Sequence, residues 1–327
     1  MCGMHAIRLH EFGPAENLRY EELPDPEPGA GQVRVAVAAS GVHVLDTVIR
    51  QGTSGGPFPL PELPTIPGRE VAGTVDAVGP GVDGAWRGRR VVAHLGQASG
   101  GYAERALAPV GALHALPDAL APEAAVAMIG TGRTAIGIID AAAITADDVV
   151  LVTAAAGGLG SLLVQAGAGA GALVVGAAGG PAKVERARAL GAAIAVDYLE
   201  PGWTESVRAE LDGRRVTVLL DGRGGAPASE AARLLADGAR LVLYSGAPPP
   251  LDDAERAARG IRVVAPIGRA LLDRPGGLRP LETEALAAAA SGRLTPVVEH
   301  SFPLADAAAA HRALEQRATV GKVVLAV

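Results

Sequence analysis

The chain contains a single cysteine, Cys2, and aromatic residues make up only 3% of it. One cysteine excludes an intramolecular disulfide and any metal site built from several thiolates, and it favours a reducing, cytoplasmic location. With so few aromatic side chains, the hydrophobic residues, 49% of the chain, must form aliphatic cores. The length of 327 residues exceeds the roughly 250–300 residues at which one core stops growing, so two domains are expected.

Basic stripes and export signals are also missing. The formal net charge is -6, and acidic and basic residues are mixed along the chain, which argues against a nucleic acid partner. The N-terminal residues do not form a basic and apolar leader, so a signal peptide is not predicted. Residues 149–182 carry no charge, but their glycine clusters divide them into pieces too short to span a membrane, which needs roughly 20 apolar residues.

The pattern of apolar residues changes along the chain. The first hundred residues contain short alternating runs separated by Gly and Pro, which are typical of a β-rich, partly open barrel or sandwich. From about residue 123, apolar strands alternate with Ala-rich helical stretches, the pattern of a doubly wound α/β domain with a parallel sheet. Its predicted strands are Val149–Thr153, Leu173–Ala177, Ala193–Val196, Val216–Asp221, Arg240–Tyr244 and Arg262–Val264.

The strongest chemical motif is a glycine-rich turn between a strand and a helix. Residues 154–160 read Ala-Ala-Ala-Gly-Gly-Leu-Gly and follow the strand that ends at Thr153. Such a turn lets backbone N–H groups approach a pyrophosphate, which the positive end of the helix stabilises. The alternative is a glycine-rich turn that binds nothing. Within the following helix, we interpret Gly167 and Gly169 as positions of close packing.

The region where NAD-binding domains place an acidic residue indicates the type of dinucleotide. An Asp or Glu about 20 residues after the turn binds the ribose hydroxyls of NAD, but residues 174–180 contain no acid and Lys183 follows them. Without a carboxylate, a 2′-phosphate is not repelled, and a lysine can attract it as a point charge. The sequence therefore favours NADPH, with an ordinary solvated lysine as the alternative for Lys183.

These motifs, taken together, resemble the medium-chain dehydrogenase/reductase superfamily, and within it the zinc-independent quinone oxidoreductase branch that includes zeta-crystallin. The resemblance covers nearly the whole chain. It rests on Ser40 to Thr47, Pro67 to Val75, the loop from Ala154 to Gly160, Val196-Asp197-Tyr198, and Gln316 to Lys322.

The resemblance implies a β-rich catalytic domain of residues 1–122 completed by 265–327, a Rossmann domain of residues 123–264, an active site in the cleft between them, and a homodimer. It also implies cofactor contacts along the chain. The pyrophosphate would meet Gly157, Gly158, Leu159 and Gly160, the adenosine phosphate end would meet Lys183 and Tyr198, other parts of the cofactor would meet Ser245, Gly246 and Arg317, and Thr134 would lie near the nicotinamide.

Zinc-dependent members of the superfamily allow a comparison of metal positions. Catalytic zinc needs three protein ligands of Cys, His or carboxylate type. By resemblance, His43 falls at the first ligand position, Arg69 at the second and Ile129-Gly130 at the third, so only one of the three offers a ligand. No bound metal is expected. His43 also stands where this branch commonly has Asn, and Val48 and the loop Thr53-Ser54-Gly55-Gly56 replace its tyrosines.

The implied reaction is hydride transfer from NADPH to a quinone or an α,β-unsaturated carbonyl compound. An imidazole titrates near neutral pH, so His43 is the candidate proton or hydrogen-bond donor, with a merely structural histidine as the alternative. Asp46 orients His43 or caps a helix, and Arg69 pairs with an acid or faces the cofactor. A polyketide-type enoyl reductase and a catalytically quiet NADPH-binding protein are the rival functions.

Overall fold

The computed structural model describes residues 3–54 and 59–327, so Cys2 and the Gly55-Gly56 half of the predicted loop lie outside the described residues. The strands are β1 (Gly3–Leu9), β2 (Leu18–Pro24), β3 (Gln32–Val42), β4 (Glu70–Val78), β5 (Arg90–His94), β6 (Arg105–Pro109), β7 (Leu113–Ala115), β8 (Val149–Thr153), β9 (Leu173–Ala178), β10 (Ile194–Asp197), β11 (Val216–Asp221), β12 (Leu235–Leu243), β13 (Arg262–Val264), β14 (His300–Pro303) and β15 (Val323–Ala326).

The helices are α1 (Val44–Arg50), α2 (Pro122–Val126), α3 (Arg133–Ala142), α4 (Gly158–Gly169), α5 (Pro181–Ala189), α6 (Trp203–Leu211), α7 (Gly225–Ala232), α8 (Asp253–Ala258), α9 (Arg269–Leu272), α10 (Arg279–Ala290) and α11 (Ala307–Glu315). A π-helical turn, Ala127–Gly132, joins α2 to α3.

Residue contacts divide the chain into two compact units. The first comprises Met1–Thr131, Ala285–Ser291 and Pro296–Val327, and the second comprises Gly132–Glu284 and Gly292–Thr295. Residues 265–284 thus associate with the parallel sheet, although the sequence assigns them to the β-rich domain, and α2 associates with the first unit. The predicted domain limits of 122 and 264 themselves stay a prediction.

The first unit is built on a seven-stranded, mostly antiparallel sheet. Its strand order is β14-β15-β3-β4-β5-β7, with β6 pairing β3 beyond this path, and β1 and β2 form a separate hairpin. The aliphatic residues Val33, Val35, Val71, Val75 and Val91 alternate along the strands and form its buried core. The C-terminal strand β15 pairs with the second half of β3, so that Val323 lies opposite Val42.

The second unit contains a six-stranded sheet in which every strand is parallel to its neighbours. The order β10-β9-β8-β11-β12-β13 is that of the Rossmann fold, and its direction of growth reverses between β8 and β11. Ligands of such sheets bind at the carboxyl ends of the strands at this reversal. The predicted α/β fold with a parallel sheet and a separate β-rich domain is confirmed.

The six predicted parallel strands are all present, and β12 differs most from its prediction. It begins at Leu235 instead of Arg240, and a shift in register against β11 separates this early start from the rest of the strand. The uncharged residues 149–182 divide, as predicted, into β8, α4 and β9. One helical run, Pro122–Ala142, is long and apolar enough to cross a membrane, but 67% of its most apolar window is buried in protein.

Candidate functional site

The imidazole of His43 forms part of a buried polar cluster in the first unit. His43 directly follows β3 and is the N-cap of α1. Its Nε2 atom lies 2.8 Å from Oε1 of Glu70 and 3.1 Å from Nζ of Lys322. A single ring nitrogen can donate to the carboxylate or accept from the ammonium, but it cannot do both at once. Glu70 and Lys322 therefore compete for the same nitrogen of the imidazole.

Lys322 closes the cluster from the C-terminal end of the chain. Its ammonium lies 2.8 Å from Oε2 of Glu70 and donates to Oγ1 of Thr131 at 3.2 Å. The side chain of Glu70 is fully buried and that of Lys322 is 5% exposed, whereas that of His43 is 25% exposed. Glu70 and Lys322 thus form a buried ion pair, and the more accessible imidazole of His43 contacts both of them.

Two glycines make room for the Glu70 carboxylate. A Cβ atom on Gly41 would lie 2.0 Å from Oε2 of Glu70, and one on Gly130 would lie 1.8 Å from Oε1. The backbone of Glu70 is also fixed, because the Ser40 hydroxyl donates to its carbonyl oxygen at 2.9 Å. The two glycines therefore leave the space that the carboxylate fills, and Ser40 holds the backbone from which it extends.

The charge of Glu70 is maintained although no water reaches it. Burial alone would raise the pKa of this carboxyl, but the neighbouring charges of His43 and Lys322 and the hydrogen bond from His43 together lower it below its usual range. A carboxylate held ionised in this way stabilises positive charge on its neighbours. Glu70 is therefore an ionised carboxylate that faces the imidazole of His43 and the ammonium of Lys322.

The carboxylate of Asp46 contacts the backbone of His43 and not its imidazole. The His43 N–H donates to Oδ2 of Asp46 at 2.8 Å, which is the geometry of a helix cap. The same carboxylate accepts a hydrogen bond from the hydroxyl of Tyr102 at 3.2 Å and lies 3.6 Å from Nε of Arg69. Asp46 thus caps α1 and pairs with Arg69. The side chains that contact Nε2 of the His43 imidazole are those of Glu70 and Lys322.

A pocket of the first unit opens beside Asp46 and Arg69. It is lined by both of these side chains and by apolar residues that include Leu9, Ile49 and Leu60. An apolar wall with a few polar groups is typical of sites for small organic molecules. The pocket is a candidate for the acceptor, and an arginine on its wall suits a negatively charged one.

The predicted phosphate loop has the expected geometry in the second unit. Gly157 is the N-cap of α4, which begins at Gly158 directly after the loop that follows β8. The first N–H groups of such a helix have no partner within the helix and form an anion site. A Cβ on Gly160 would lie 2.1 Å from the carbonyl oxygen of Ala154, so only glycine lets the helix pack this closely on the loop.

The two other glycines of α4 differ from each other. A Cβ on Gly167 would lie 2.9 Å from Cγ2 of Val174, whereas a Cβ on Gly169 would meet nothing within 4 Å. The interpretation as a close-packing position is confirmed for Gly167 and wrong for Gly169. Gly169 is the last residue of α4, so its Cα faces open space at the helix end.

At the sheet reversal, a buried acid joins β8 to the loops after β11 and β12. Oδ1 of Asp221 accepts a hydrogen bond from the Thr153 hydroxyl at 2.7 Å, and Oδ2 accepts one from the Ser245 hydroxyl at 3.2 Å. Backbone N–H groups of Arg223 and Gly224 donate to the same carboxylate. Predicted cofactor residues Ser245 and Gly246 thus lie on a loop anchored to the end of β11.

Tyr198 lies beside the glycine pair that ends β9. A Cβ on Gly179 would lie 3.1 Å from the hydroxyl oxygen of Tyr198, so the ring packs directly on this backbone. Lys183 lies in the first turn of α5, which begins two residues earlier at Pro181. The nearby acid Asp197 is engaged by the backbone, because the N–H groups of Gly180 and Leu199 each donate to it at 2.9 Å.

Sequence reasoning missed Arg223 at this place. Its guanidinium lies over the ring of Tyr198, 5.8 Å from the ring centroid. Sequence reasoning also missed the role of Glu70 and Lys322. Both lie within the family motifs, but a glutamate and a lysine far apart along the chain give no local signal of contact.

The remaining predicted residues are divided between the units. Thr134 is the second residue of α3, which follows the π-helical turn. It belongs to the second unit, as do Lys183, Tyr198, Ser245, Gly246 and the loop Gly157–Gly160. Arg317 belongs to the first unit with His43 and Asp46, and has a left-handed backbone with φ of 54°. Their predicted roles toward a cofactor stay predictions.

Comparison with known proteins assigns both parts of the chain. Residues 29–118 match the family described as Alcohol dehydrogenase GroES-like domain, and residues 190–325 match the family described as Zinc-binding dehydrogenase. The quinone oxidoreductase of Sus scrofa is 30% identical over 98% of this chain and 97% of its own length. The 2-haloacrylate reductase of a Burkholderia species is 31% identical over 98% of both chains.

Solved structures agree with these relatives. The quinone oxidoreductase of Escherichia coli in complex with NADPH is 29% identical, has a TM-score of 0.86, and aligns over 99% of this chain and all of its own. The predicted resemblance is confirmed by full-length relatives and by the fold. The chain belongs to the medium-chain dehydrogenase/reductase superfamily, as an oxidoreductase related to the quinone oxidoreductases.

Proposed function

We propose that the protein is an NADPH-dependent reductase of quinones and α,β-unsaturated carbonyl compounds that works without zinc. The observation that carries this proposal is the cluster of His43, Glu70 and Lys322, in which a buried carboxylate and an ammonium face the imidazole of His43 in the β-rich unit. Full-length relatives that are named quinone oxidoreductase and 2-haloacrylate reductase support both acceptor classes.

The glycine loop and the adenosine end of the second unit fit NADPH. The start of α4 offers its N–H groups to the pyrophosphate, and Gly160 permits the close approach that such a loop needs. Lys183 and Arg223 supply positive charge for the 2′-phosphate, while the nearby acids Asp197 and Asp221 are engaged by backbone N–H groups. The NADPH complex of the Escherichia coli relative supports this cofactor.

The protein's contribution to the reaction is orientation and charge. NADPH, when bound, would supply the hydride that reduces the β-carbon of an enone or a quinone. The acceptor then holds an enolate or hydroquinone oxyanion that must gain one proton. His43 donates this proton or a hydrogen bond, and Glu70 keeps the imidazole in place while it does so.

The acceptor class is proposed from the pocket beside Asp46. Its apolar wall suits a planar quinone or enone, and Arg69 on the wall suits an acceptor that carries a carboxylate. The 2-haloacrylate that names one relative is an α,β-unsaturated carboxylate. We therefore include unsaturated carboxylic acids among the acceptors.

The test is the initial rate of NADPH oxidation by purified protein. The acceptors are a benzoquinone, a naphthoquinone, a simple enone, a 2-haloacrylate and an enoyl thioester, each measured with NADPH and with NADH. Turnover with NADPH in clear preference to NADH supports the cofactor, and an unchanged rate after chelator treatment supports zinc independence. Turnover of the thioester alone favours the polyketide-type enoyl reductase. NADPH binding without turnover of any acceptor favours the catalytically quiet binding protein.

A further inference from the structure

The ammonium of Lys322 has the surroundings of a bound cation. Three side-chain atoms from three different parts of the first unit surround Nζ: Oε2 of Glu70 at 2.8 Å, Nε2 of His43 at 3.1 Å and Oγ1 of Thr131 at 3.2 Å. An ammonium has three N–H donors; Glu70 and Thr131 accept two of them, and Nε2 of His43 accepts the third whenever it does not itself donate to Glu70. The side chain of Lys322 is 5% exposed, so its charge is held inside the protein.

The donor set around this ammonium does not fit zinc. Zinc needs three ligands of Cys, His or carboxylate type, with bonds of about 2.0–2.3 Å. His43 and Glu70 are two such groups, but both already contact the ammonium, and a zinc ion on Nε2 would be forced against Nζ. The described part of the chain contains no group of three or more Cys, His, Asp or Glu side chains that could hold a metal ion.

We propose that Lys322 is the resident cation of this site and takes the electrostatic place that a metal ion has in zinc-dependent relatives. Its ammonium neutralises Glu70, fixes the Nε2 side of His43 and prevents a divalent ion from entering. Lys322 acts on the reaction through His43, so it is a positioning residue. This inference rests on the proposed function for its catalytic part, and on the contacts alone for its metal-excluding part.

The site offers a direct test, because removal of the ammonium leaves ligands behind. Lys322→Met keeps an unbranched, flexible side chain that ends one heavy atom short of Nζ, and it leaves His43, Glu70 and Thr131 around an empty position. Lys322→Arg keeps the charge. The double variant Glu70→Gln/Lys322→Met removes both buried charges, which avoids the unpaired carboxylate that makes single variants of buried ion pairs unstable.

The first measurement is cobalt binding to the chelator-treated full-length protein, followed by the visible absorption of bound Co²⁺. We expect no visible Co²⁺ bands for the wild type. We expect Lys322→Met to bind Co²⁺ at least about tenfold more tightly than the wild type, and the double variant to lose this gain because it lacks the carboxylate ligand. Stoichiometric zinc or cobalt in the wild type that disappears in His43→Ala would overturn the inference. So would equal Co²⁺ binding by the wild type and Lys322→Met.

The second measurement separates kcat from the KM for NADPH. Because proton donation contributes roughly 10²–10⁴-fold to such reactions, we expect Lys322→Met and the double variant to lose at least about tenfold in kcat, with the KM for NADPH changed less than about threefold. Lys322→Arg should recover part of kcat. A double variant that folds, as judged by circular dichroism, and keeps the wild-type kcat contradicts the positioning role. A wild type without any turnover contradicts the proposed function instead, and the cobalt measurement still decides the metal-excluding part.

Discussion

A Cβ atom on Gly130 would lie 1.8 Å from Oε1 of Glu70, well inside van der Waals contact. The glycine is thus required by the carboxylate, not by its own backbone conformation. Ile129 and Gly130 stand where, by the family resemblance, zinc-dependent relatives have their third zinc ligand. Gly130 offers no metal ligand, and the Glu70 carboxylate fills the space that a side chain at this position would need.

Gly130→Ala should displace the Glu70 carboxylate from His43 and Lys322. Overpacking in a well-packed interior costs typically about 1–3 kcal/mol, and the cost here should lie at the upper end because the displaced group is charged. We expect a lower Tm and a loss of kcat of at least about tenfold. Gly84→Ala is the matched control, since a Cβ there meets nothing within 4 Å. Unchanged activity of Gly130→Ala at full stability would contradict the arrangement.

His311 should make the protein sensitive to mild acid. Burial lowers the pKa of this histidine to about 4, below its ordinary value near 6.5. As the pH falls from about 6.5 towards 4, the unfolded chain therefore binds a proton that the folded protein does not bind. The free energy of unfolding should fall in this interval, by about 3 kcal/mol at most for this group.

The measurement for His311 is urea unfolding between pH 7 and pH 4 for the wild type and for His311→Gln. The variant loses the contact of 3.1 Å between Nε2 of His311 and the Tyr102 hydroxyl, so it should be less stable at pH 7. Its free energy of unfolding should, however, change less with pH. His10→Gln serves as control, because the His10 side chain is 43% exposed. Parallel curves for the wild type and His311→Gln would show that another group titrates.

Arg223 should contribute to the preference for NADPH. A hydrogen bond to a charged group contributes about 1.5–3 kcal/mol, and partial exposure reduces this value, so Arg223→Gln should weaken NADPH binding by about five- to tenfold. NADH binding should change little. The measurement is a fluorescence titration with each dinucleotide, supplemented by 2′,5′-ADP, and exposed Arg214→Gln is the control. An equal loss for NADPH and NADH would mean that Arg223 contacts the adenine and not the 2′-phosphate.

The two ends of α4 should respond in opposite ways to alanine. Gly160→Ala places a Cβ 2.1 Å from a backbone carbonyl oxygen, so it should disturb the loop and abolish dinucleotide binding. Gly169→Ala enters open space and should raise stability by up to about 1 kcal/mol, the difference in helix propensity between the two residues. Thermal unfolding and NADPH titration of both variants provide the measurement. Tolerance of Gly160→Ala would contradict the packing of α4 on its loop.

The parallel sheet could be predicted from the sequence because its signals are local. Each of its strands is a short apolar run that ends at glycine or a polar residue, and β8, β11 and β13 have the predicted limits. The early start of β12 could not be predicted, since it depends on a register shift against β11. Residues 265–284 contain no strand, so nothing local indicates which unit they join.

The chemistry of the candidate site was only partly predictable. His43 and Asp46 lie in one family motif and could be identified there, but the partner of each depends on distant residues. Glu70 reaches His43 through the pairing of β3 with β4, and Lys322 reaches it through the pairing of β15 with β3. Such contacts are set by sheet register, which leaves no trace in the spacing of residues along the chain.

The pairing of β15 with β3 also sets an order of events during synthesis. The six strands of the parallel sheet have all been translated by residue 264, whereas β3 gains its neighbour β15 only after residue 326. Domains generally fold as units while the chain is made. The internal nucleotide-binding unit can therefore complete its sheet on the ribosome first, and the contact between His43 and Lys322 can form only after residue 322 has been added.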